Sequence, residues 1–243
     1  MAERLKGFTE KIIVVLRAPD VDDTWCERLR TTVAAELLAL GVPALTVNVK
    51  DAPVRGSMMV LTTLDPPVVA AVTVWTQQYY GDQMTAVLDR LRGECTSLAA
   101  YLVTESVPMP GPAIVPGERT VGMANIALLR RPEGLDEREW LQLWHLHHTQ
   151  VAIDTQSTFG YTQNTVVRAI TPDAPRIDAI VEELFPIEAV GSLHAFFGAA
   201  DDADLGDRMT KMVASTAAFG ANENVDTIPT SRYVLRNPFG DNQ

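Results

Sequence analysis

The sequence has little positive charge for its size. It contains 20 Lys and Arg residues against 31 Asp and Glu residues, which gives a formal net charge of −11 at pH 7. A surface of this sign repels nucleic-acid phosphates and anionic lipid headgroups, and no run of basic residues forms a patch that would offset the repulsion. The composition therefore argues against a nucleic-acid partner and against a membrane partner.

Cysteines and long apolar runs are scarce as well. Cys26 and Cys95 stand apart without the CxxC spacing of redox or metal motifs, so we expect buried or idle thiols. The first residues, MAERLKGFTEK, lack the apolar core of about 7 to 15 residues that a signal peptide needs. Nowhere do about 18 apolar residues follow one another. We therefore expect a cytoplasmic protein.

The apolar pattern of the first half predicts the order β-α-β-β-α-β. A chain of 243 residues with 47% apolar side chains can bury a substantial core, so most of it should be folded. Residues 54–64 fit either a short strand or a loop. The predicted strands cover 11–17, 45–49, 68–75 and 98–107. One predicted helix is capped by Asp22 or Asp23 and runs to Leu40, and a second helix covers 82–92.

A stretch rich in proline and glycine, 109–120, is the best candidate for a linker between 1–108 and 121–243. The same kinds of element recur after it. In this half the predicted strands cover 121–130, 160–168, 176–185 and 227–236, and helical segments cover 136–155, 187–197 and 204–219.

The two halves start alike. LRAP at 16–19 and LRRP at 129–132 each follow an apolar strand and precede an acidic turn and a long amphipathic helix. Repetition at half the chain length indicates two copies of one unit, the split β-α-β of the ferredoxin-like fold. The predicted fold is therefore α+β, with two tandem ferredoxin-like units whose antiparallel sheets pack as a pseudo-dimeric α+β barrel.

Three of the four histidines lie in one helix, within 139–151. At 100° per residue, His148 lies on the flank of the apolar stripe and His145 points away from it. Polar side chains on the buried face of a helix indicate a site. The stripe itself contains Trp140, Trp144, His147 and Val151.

The first half lacks these histidines. A shift of 114 residues, which superposes the apolar positions of the two helices, places Val33 and Ala34 where the second half has His147 and His148. We therefore expect a structural, degenerate first copy that supplies the partner sheet, and one active pocket per chain in the second copy.

A short motif pattern runs through LLRRPEGLDEREWLQLWHLHH. It combines a strand with LxR, a turn with Pro and Gly-Leu, the pair Glu139-Trp140, and WxxxH at Trp144 and His148. Gly160-Tyr161 with Asn164 adds a matching second strand. In these features residues 121–236 resemble the EthD family, small ferredoxin-like proteins of the dimeric α+β barrel group.

The resemblance implies a function class. Relatives of the EthD family include aromatic polyketide cyclases and decarboxylating or dehydrating enzymes, and the family uses no nucleotide and generally no metal. Two features depart from the family pattern. HLHH holds more histidine than the motif requires, and fusion to a degenerate copy is unusual, so the substrate class does not carry over directly.

Two residues are the predicted catalytic groups. His148 has the pKa range to take a proton from an activated carbon or phenol and return it elsewhere, which is the main task in cyclisation, dehydration or decarboxylation. Tyr161 can hydrogen-bond a substrate oxygen or stabilise an enolate. The alternative for His148 is a structural role, in which it only holds the helix to the sheet.

A hydrophobic substrate needs an apolar wall with a few polar groups. Core packing is the alternative explanation for each aromatic residue, and exposure or a structural role is the alternative for each asparagine. The predicted substrate-binding residues are Trp144, His147, Asn125, Asn164, Phe185 and Phe197.

Metal and haem sites are alternatives for the histidine helix. The histidines lack an HExxH arrangement, and the acidic residues of 201–207 lack the glycine and closing glutamate of a calcium loop, so we expect no metal. Haem needs only one axial histidine and an apolar slot. Chlorite-dismutase-like and dye-decolourising proteins, which also pair two ferredoxin-like units, use such a histidine.

The leading hypothesis is a cofactor-independent acid/base enzyme that acts on a hydrophobic oxygenated small molecule. The alternatives are a non-catalytic ligand-binding or structural α+β barrel and a haem-binding enzyme with a histidine axial ligand. A homodimer of the fused chain is compatible with each of these hypotheses. A cavity of the order of 300 Å³ at His148 would favour catalysis, and enclosure of His148 by side chains would favour a binding or scaffold role.

Overall fold

The apolar runs form eight strands that close into a barrel. A computed structural model describes residues 9–237, so most of the N-terminal stretch without a signal-peptide core lies outside the described residues. The strands are β1 Glu10–Arg17, β2 Ala44–Val49, β3 Val68–Thr76, β4 Ser97–Met109, β5 Met123–Leu129, β6 Gly160–Ala169, β7 Ala179–Phe185 and β8 Asp226–Arg236.

Helices connect the strands on the outside of the barrel. A π-helical segment, Leu29–Val33, joins α1 to α2, a second, Leu143–His148, joins α5 to α6, and a short 3₁₀ turn covers Ile187–Val190. The helices are α1 Asp23–Arg28, α2 Ala34–Ala39, α3 Ala52–Arg55, α4 Asp82–Arg92, α5 Glu137–Gln142, α6 Thr149–Thr155, α7 Leu193–Phe197 and α8 Asp202–Ala218.

The strand order around the barrel is β1-β3-β2-β8-β5-β7-β6-β4, and β4 pairs with β1 to close it. Every pair is antiparallel. The first four strands follow the order β4-β1-β3-β2, and the last four repeat it as β8-β5-β7-β6. The pairs β2–β8 and β4–β6 join these two groups, so one chain closes the barrel by itself.

Side chains alternate between the barrel interior and the outer helices because successive residues of a strand point to opposite faces. On β1, Ile13 and Val15 belong to an interior apolar cluster to which both halves contribute, including Ile126 and Ile180. On the same strand, Val14 packs outward in the cluster that contains the α1, α2 and α4 side chains.

The barrel interior also contains a charged network. Lys11 forms an ion pair with Glu105 and donates a hydrogen bond to Asn164 Oδ1 at 2.7 Å. Burial lowers the Lys11 pKa, and the Glu105 carboxylate acts against that shift. Arg232 and Glu182, from the second half, form another ion pair at 3.3 Å. Each of these two cations is therefore paired with a carboxylate inside the barrel.

The helix starts agree with the sequence. Asp22 caps α1 by accepting a hydrogen bond from the Trp25 amide, and Asp136 caps α5 by accepting from the Arg138 and Glu139 amides. Residues 54–64, which the pattern left open, complete α3 and then form a loop whose Leu61 bridges to Thr227 of β8.

Candidate functional site

The outer face of β5, β7 and β6 carries three polar side chains in a row. Glu183 of β7 lies directly opposite Asn125 of β5 on one side and Tyr161 of β6 on the other. All three are buried, with Glu183 9% exposed. The helix that runs from α5 through the π segment to α6 covers this face. We call the space between them the C-terminal layer.

Tyr161 lies at the centre of a polar group within this layer. The side chains of Trp144, Thr149 and Gln163 lie close to its hydroxyl, and Trp144 Nε1 is buried without a hydrogen-bond partner. Burial, which is the largest cause, and the nearby Glu183 carboxylate raise the pKa of Tyr161 far above its usual range. Tyr161 is therefore a neutral hydroxyl throughout the physiological pH range.

The same group is tied to the π segment. Gln163 Nε2 donates to Thr149 Oγ1 at 2.6 Å, and Thr149 Oγ1 donates to the Trp144 carbonyl at 3.0 Å. The Thr149 amide donates to the same carbonyl, which is the i→i+5 bond of a π turn. These bonds fix the helix over Tyr161.

Glu183 has an unusual environment for a carboxyl group. Burial raises its pKa to about 8, and no cation or hydrogen-bond donor among residues 9–237 opposes that shift. Its cross-strand neighbour Asn125 has a buried Oδ1 without a hydrogen-bond partner. Glu183 is therefore neutral near pH 7, and an unused acceptor lies on the adjacent strand.

The sequence analysis missed Glu183. The available signal was its position between Val181 and Phe185, which are apolar and two residues away on either side, so all three face the same side of β7. A carboxylate at such a position is rare unless it is paired. A second glutamate, Glu182, obscured the signal because it faces the barrel interior.

His148 is buried where the helix meets α8. Its Nδ1 lies 3.0 Å from Ser215 Oγ, and its ring lies 4.8 Å from the Phe219 ring. Burial lowers the pKa of His148 to about 4. The imidazole is therefore neutral at pH 7, and its burial disfavours the protonated form.

The helical-wheel prediction for the other histidines is wrong. His147 is exposed, whereas His145 is half-buried against the Trp144 ring at 4.3 Å, with a buried Nε2 that has no partner. Turns of a π segment hold more residues than α turns, so the buried positions recur every four residues. These positions are Trp140, Trp144, His148 and Ala152.

The π segments also correct the alignment of the two halves. Buried residues of the first helix match those of the second with a shift of 115 residues rather than 114. Val33 therefore corresponds to His148, and Ala34 to Thr149, all four being buried.

The strand register extends this comparison to the sheet. Val74 lies opposite Ile12 and Leu45 in the first half, as Glu183 lies opposite Asn125 and Tyr161 in the second. Six buried polar residues of the second half, which we call the polar set, thus correspond to apolar residues in the first half. The polar set is Asn125, Glu183, Tyr161, Gln163, His148 and Thr149, and its counterparts are Ile12, Val74, Leu45, Val47, Val33 and Ala34.

The predicted substrate-binding residues separate into three places. Trp144 and Asn125 lie in the C-terminal layer. Phe185 and Phe197 lie in the adjoining apolar cluster, where Phe185 stacks on Phe196 with ring centroids 4.2 Å apart. Asn164 is on the opposite face of the sheet, bonded to Lys11 and to the Ile180 carbonyl inside the barrel. The structure does not bring Asn164 together with His148.

The C-terminal layer is closed by side chains. His148 is only 8% exposed and is enclosed by Ser215 and Phe219. Two clefts lie elsewhere on the surface, with volumes of about 240 and 260 Å³. One borders α6 and α8 at Arg208, and the other is lined by Tyr79 and Tyr80.

This packing bears on haem and metal sites. Trp140, Trp144 and Tyr161 are each at most 2% exposed and fill the layer beside His148, so the described residues leave no slot for a porphyrin there. Among residues 9–237, no group of three or more His, Cys, Asp or Glu side chains is placed to hold a metal ion.

A second helix, α8, packs beside the helix that covers the layer. The 17-residue α8 has no buried residue, although Met212 contacts the apolar clusters on both sides of the Asn125–Glu183 pair. Left-handed glycines, Gly198 and Gly220, lie on either side of this helix. Among residues 9–237, α8 is therefore held to the core by partly exposed side chains only.

The chain aligns with the crystal structure of an anthrone oxidase-like protein at a TM-score of 0.56, with 10% identity over 96% of both chains. The fold is that of the dimeric α+β barrel proteins. A chlorite dismutase from Candidatus Nitrospira defluvii in complex with imidazole aligns at a TM-score of 0.48 and 11% identity, over 93% of this chain and 92% of that one.

No protein-family model matches the sequence, and no curated protein matches it. The resemblance to the EthD family therefore rests on the motif residues alone. Among the described residues of this α+β barrel, no helix is both long and apolar enough to cross a membrane.

Proposed function

We propose that the protein is a cofactor-independent acid/base enzyme that acts on a hydrophobic oxygenated small molecule in the C-terminal layer. The reaction is of the cyclase, dehydratase or decarboxylase type, in which a proton leaves one atom of the substrate and returns to another. The observation that supports this most is the polar set at six positions that are all apolar in the first half.

The energetic argument concerns what folding requires. A buried polar group without full hydrogen bonding costs about 1–3 kcal/mol, whereas an apolar side chain at the same place stabilises the core. Val74 and Leu45 fill the corresponding positions of the first half with no such cost. Glu183 and Tyr161 are therefore not needed for packing, and a role in chemistry explains their presence.

Both predicted catalytic residues are neutral at pH 7. His148 is neutral at pH 7, so it is assigned as the base that takes the substrate proton. Tyr161 retains its hydroxyl proton and is assigned as the donor to the substrate oxygen. Neither role requires a cofactor.

Substrate enters beneath α8 in this proposal. Displacement of Met212 exposes the band between the two apolar clusters, where Asn125 lies beside the Phe185 cluster. Trp144 and Phe197 then supply apolar surface to a flat ligand.

We also propose that the halves are two ferredoxin-like units fused in tandem, the second being related to the EthD family. The support is the repeated strand order and a π segment at the same place in each half. The first unit then serves as the partner sheet, and the second contains the site.

Deuterium exchange at the α-carbon of 2-tetralone, followed by NMR in D₂O, tests the function. The wild type should accelerate exchange, and His148→Ala and Tyr161→Phe should each reduce the catalysed rate about 100-fold, because each removes one participant in the proton transfer. Tyr101→Phe is the matched control, since this buried tyrosine donates to the Pro175 carbonyl at the barrel interior. Equal rates in all four proteins would contradict the proposal.

A second candidate function is a non-catalytic ligand-binding barrel. The enclosure of His148 by Ser215 and Phe219 favours it, because a histidine held in this way also fastens the helix to α8. Binding of 2-tetralone without any exchange would support this alternative.

A further inference from the structure

We propose that Glu183, as a neutral carboxylic acid, joins Tyr161 to form a two-donor site for the carbonyl or phenol oxygen of an uncharged substrate. This inference rests on the proposed function and deepens it, since it adds a catalytic group and specifies the charge of the substrate. A carboxylate or phosphate ester is not a ligand of this site.

The geometry places the two donors side by side. Glu183 and Tyr161 are directly opposite each other in the β6–β7 pairing and point to the same face. Side chains at such positions have Cβ atoms about 4.5–5.5 Å apart, so the phenol and the carboxyl are neighbours on one face of the sheet. On the far side of Glu183, the unpartnered Asn125 Oδ1 is available to accept its hydroxyl before substrate binds.

The charges around the pair determine the substrate class. The titratable groups that face the layer are Tyr161 on β6 and His148 on the π segment, and α8 contributes Met212 and Ser215, which do not titrate. The Glu183 pKa, raised to about 8 by burial, keeps this carboxyl protonated near neutral pH. With all these groups neutral and no cation facing them, an anionic substrate would lose its hydration without compensation.

The chemical step balances within the site. When the C–H bond next to the carbonyl breaks, its proton goes to His148 and its electron pair moves to the carbonyl oxygen. The hydroxyls of Tyr161 and Glu183 stabilise the resulting enolate oxygen by hydrogen bonds. A tyrosine beside a carboxylic acid kept neutral by an apolar site is an arrangement known to stabilise enolates. Return of the proton from His148 to a different atom completes the reaction.

The test uses 2-naphthol, a flat phenol that is uncharged at pH 7. The wild type should bind it as the neutral phenol, with its oxygen accepting from both donors. Glu183→Val and Tyr161→Phe should each weaken binding about 10-fold, because each deletes a hydrogen bond to the phenol oxygen. Glu183→Val should fold, since Val74 occupies the corresponding position in the first half.

Controls separate the donor pair from general binding. Naphthalene, which has no oxygen, should bind the wild type and Glu183→Val equally, and Glu188→Gln, at an exposed acid beyond β7, should leave 2-naphthol binding unchanged. Independently of any ligand, the infrared band of a protonated carboxylic acid should be present in the wild type at pH 6 and absent from Glu183→Val.

Three results would overturn the inference. These are failure of the wild type to bind 2-naphthol, unchanged 2-naphthol binding by Glu183→Val, and a protonated-carboxyl band that persists in that variant. Loss of 2-tetralone exchange in His148→Ala with full activity in Glu183→Val would sink the inference and leave the proposed function intact. Binding of 2-naphthol that both substitutions weaken, without any exchange by the wild type, would instead remove the proposed function and support the donor pair.

Discussion

Glu183 is the residue whose protonation state most affects the C-terminal layer. Its ordinary pKa applies in the unfolded chain, whereas burial raises the pKa to about 8 in the folded protein. Between about pH 5 and pH 8, the unfolded chain has released this proton and the folded protein retains it. Stability from this group is therefore present at low pH and is lost as pH rises through the folded pKa.

This linkage predicts a pH-dependent difference between the wild type and Glu183→Val. The free energy of unfolding of the wild type should fall relative to the variant, with a slope approaching about 1.4 kcal/mol per pH unit, as pH rises toward 8. Urea unfolding of both proteins from pH 5 to pH 9 measures it. His148 titrates in both proteins, so the difference isolates Glu183. A constant difference across this range would show that Glu183 has an ordinary pKa.

At this scale the sequence identified Trp144, His148 and Tyr161 as members of one layer, because helical and strand periodicity assign faces well. It did not identify Glu183, since two adjacent glutamates on a strand look like a solvated edge until the register is known. It also exchanged the exposures of His145 and His147, because a π turn cannot be read from a 100° wheel.

In the proposed function, α8 is the element that opens to admit substrate to the polar set. It has no buried residue over 17 positions, whereas α4 buries Met84, Val87, Leu88 and Leu91 in 11 positions. A helix with few buried contacts opens at lower free energy than a well-anchored one. Opening of α8 is the route by which a closed layer admits a ligand of the proposed kind.

Hydrogen exchange tests this role for α8. Backbone amides of α8 should exchange faster than those of α4 in the free protein, and saturating 2-naphthol should slow exchange in α8 while leaving α4 unchanged. Mass spectrometry of peptides from both helices measures the two rates in one sample. Equally slow exchange in the two helices, or protection that spreads evenly over both, would argue against entry beneath α8.

Element order was largely predictable. The strand and helix assignments hold to within a few residues, because continuous β-branched runs and aspartate caps are strong local signals. The strand 176–185 is the largest departure, since β7 begins only at Ala179. The start of the predicted linker, 109–120, overlaps a strand, because β4 continues to Met109, which pairs with Tyr161 of β6.

For the whole molecule, the repeated strand order makes each half a reference for the other. The barrel closes through β2–β8 and β4–β6, so both outer layers are built on the same framework. One layer is apolar at the six compared positions and the other is polar. The sequence predicted an α+β barrel, but the corresponding positions required the register, because identity between the halves is low.

The central claim is that the polar set of the C-terminal layer serves proton transfer and is not needed for folding. The most direct measurement is the rate of deuterium exchange into 2-tetralone by Asn125→Ile/Glu183→Val, which installs the first half's residues Ile12 and Val74, in a sample whose urea unfolding is recorded alongside. We predict a protein at least as stable as the wild type whose catalysed exchange is about 100-fold slower. Exchange at the wild-type rate by this stable variant would contradict the account.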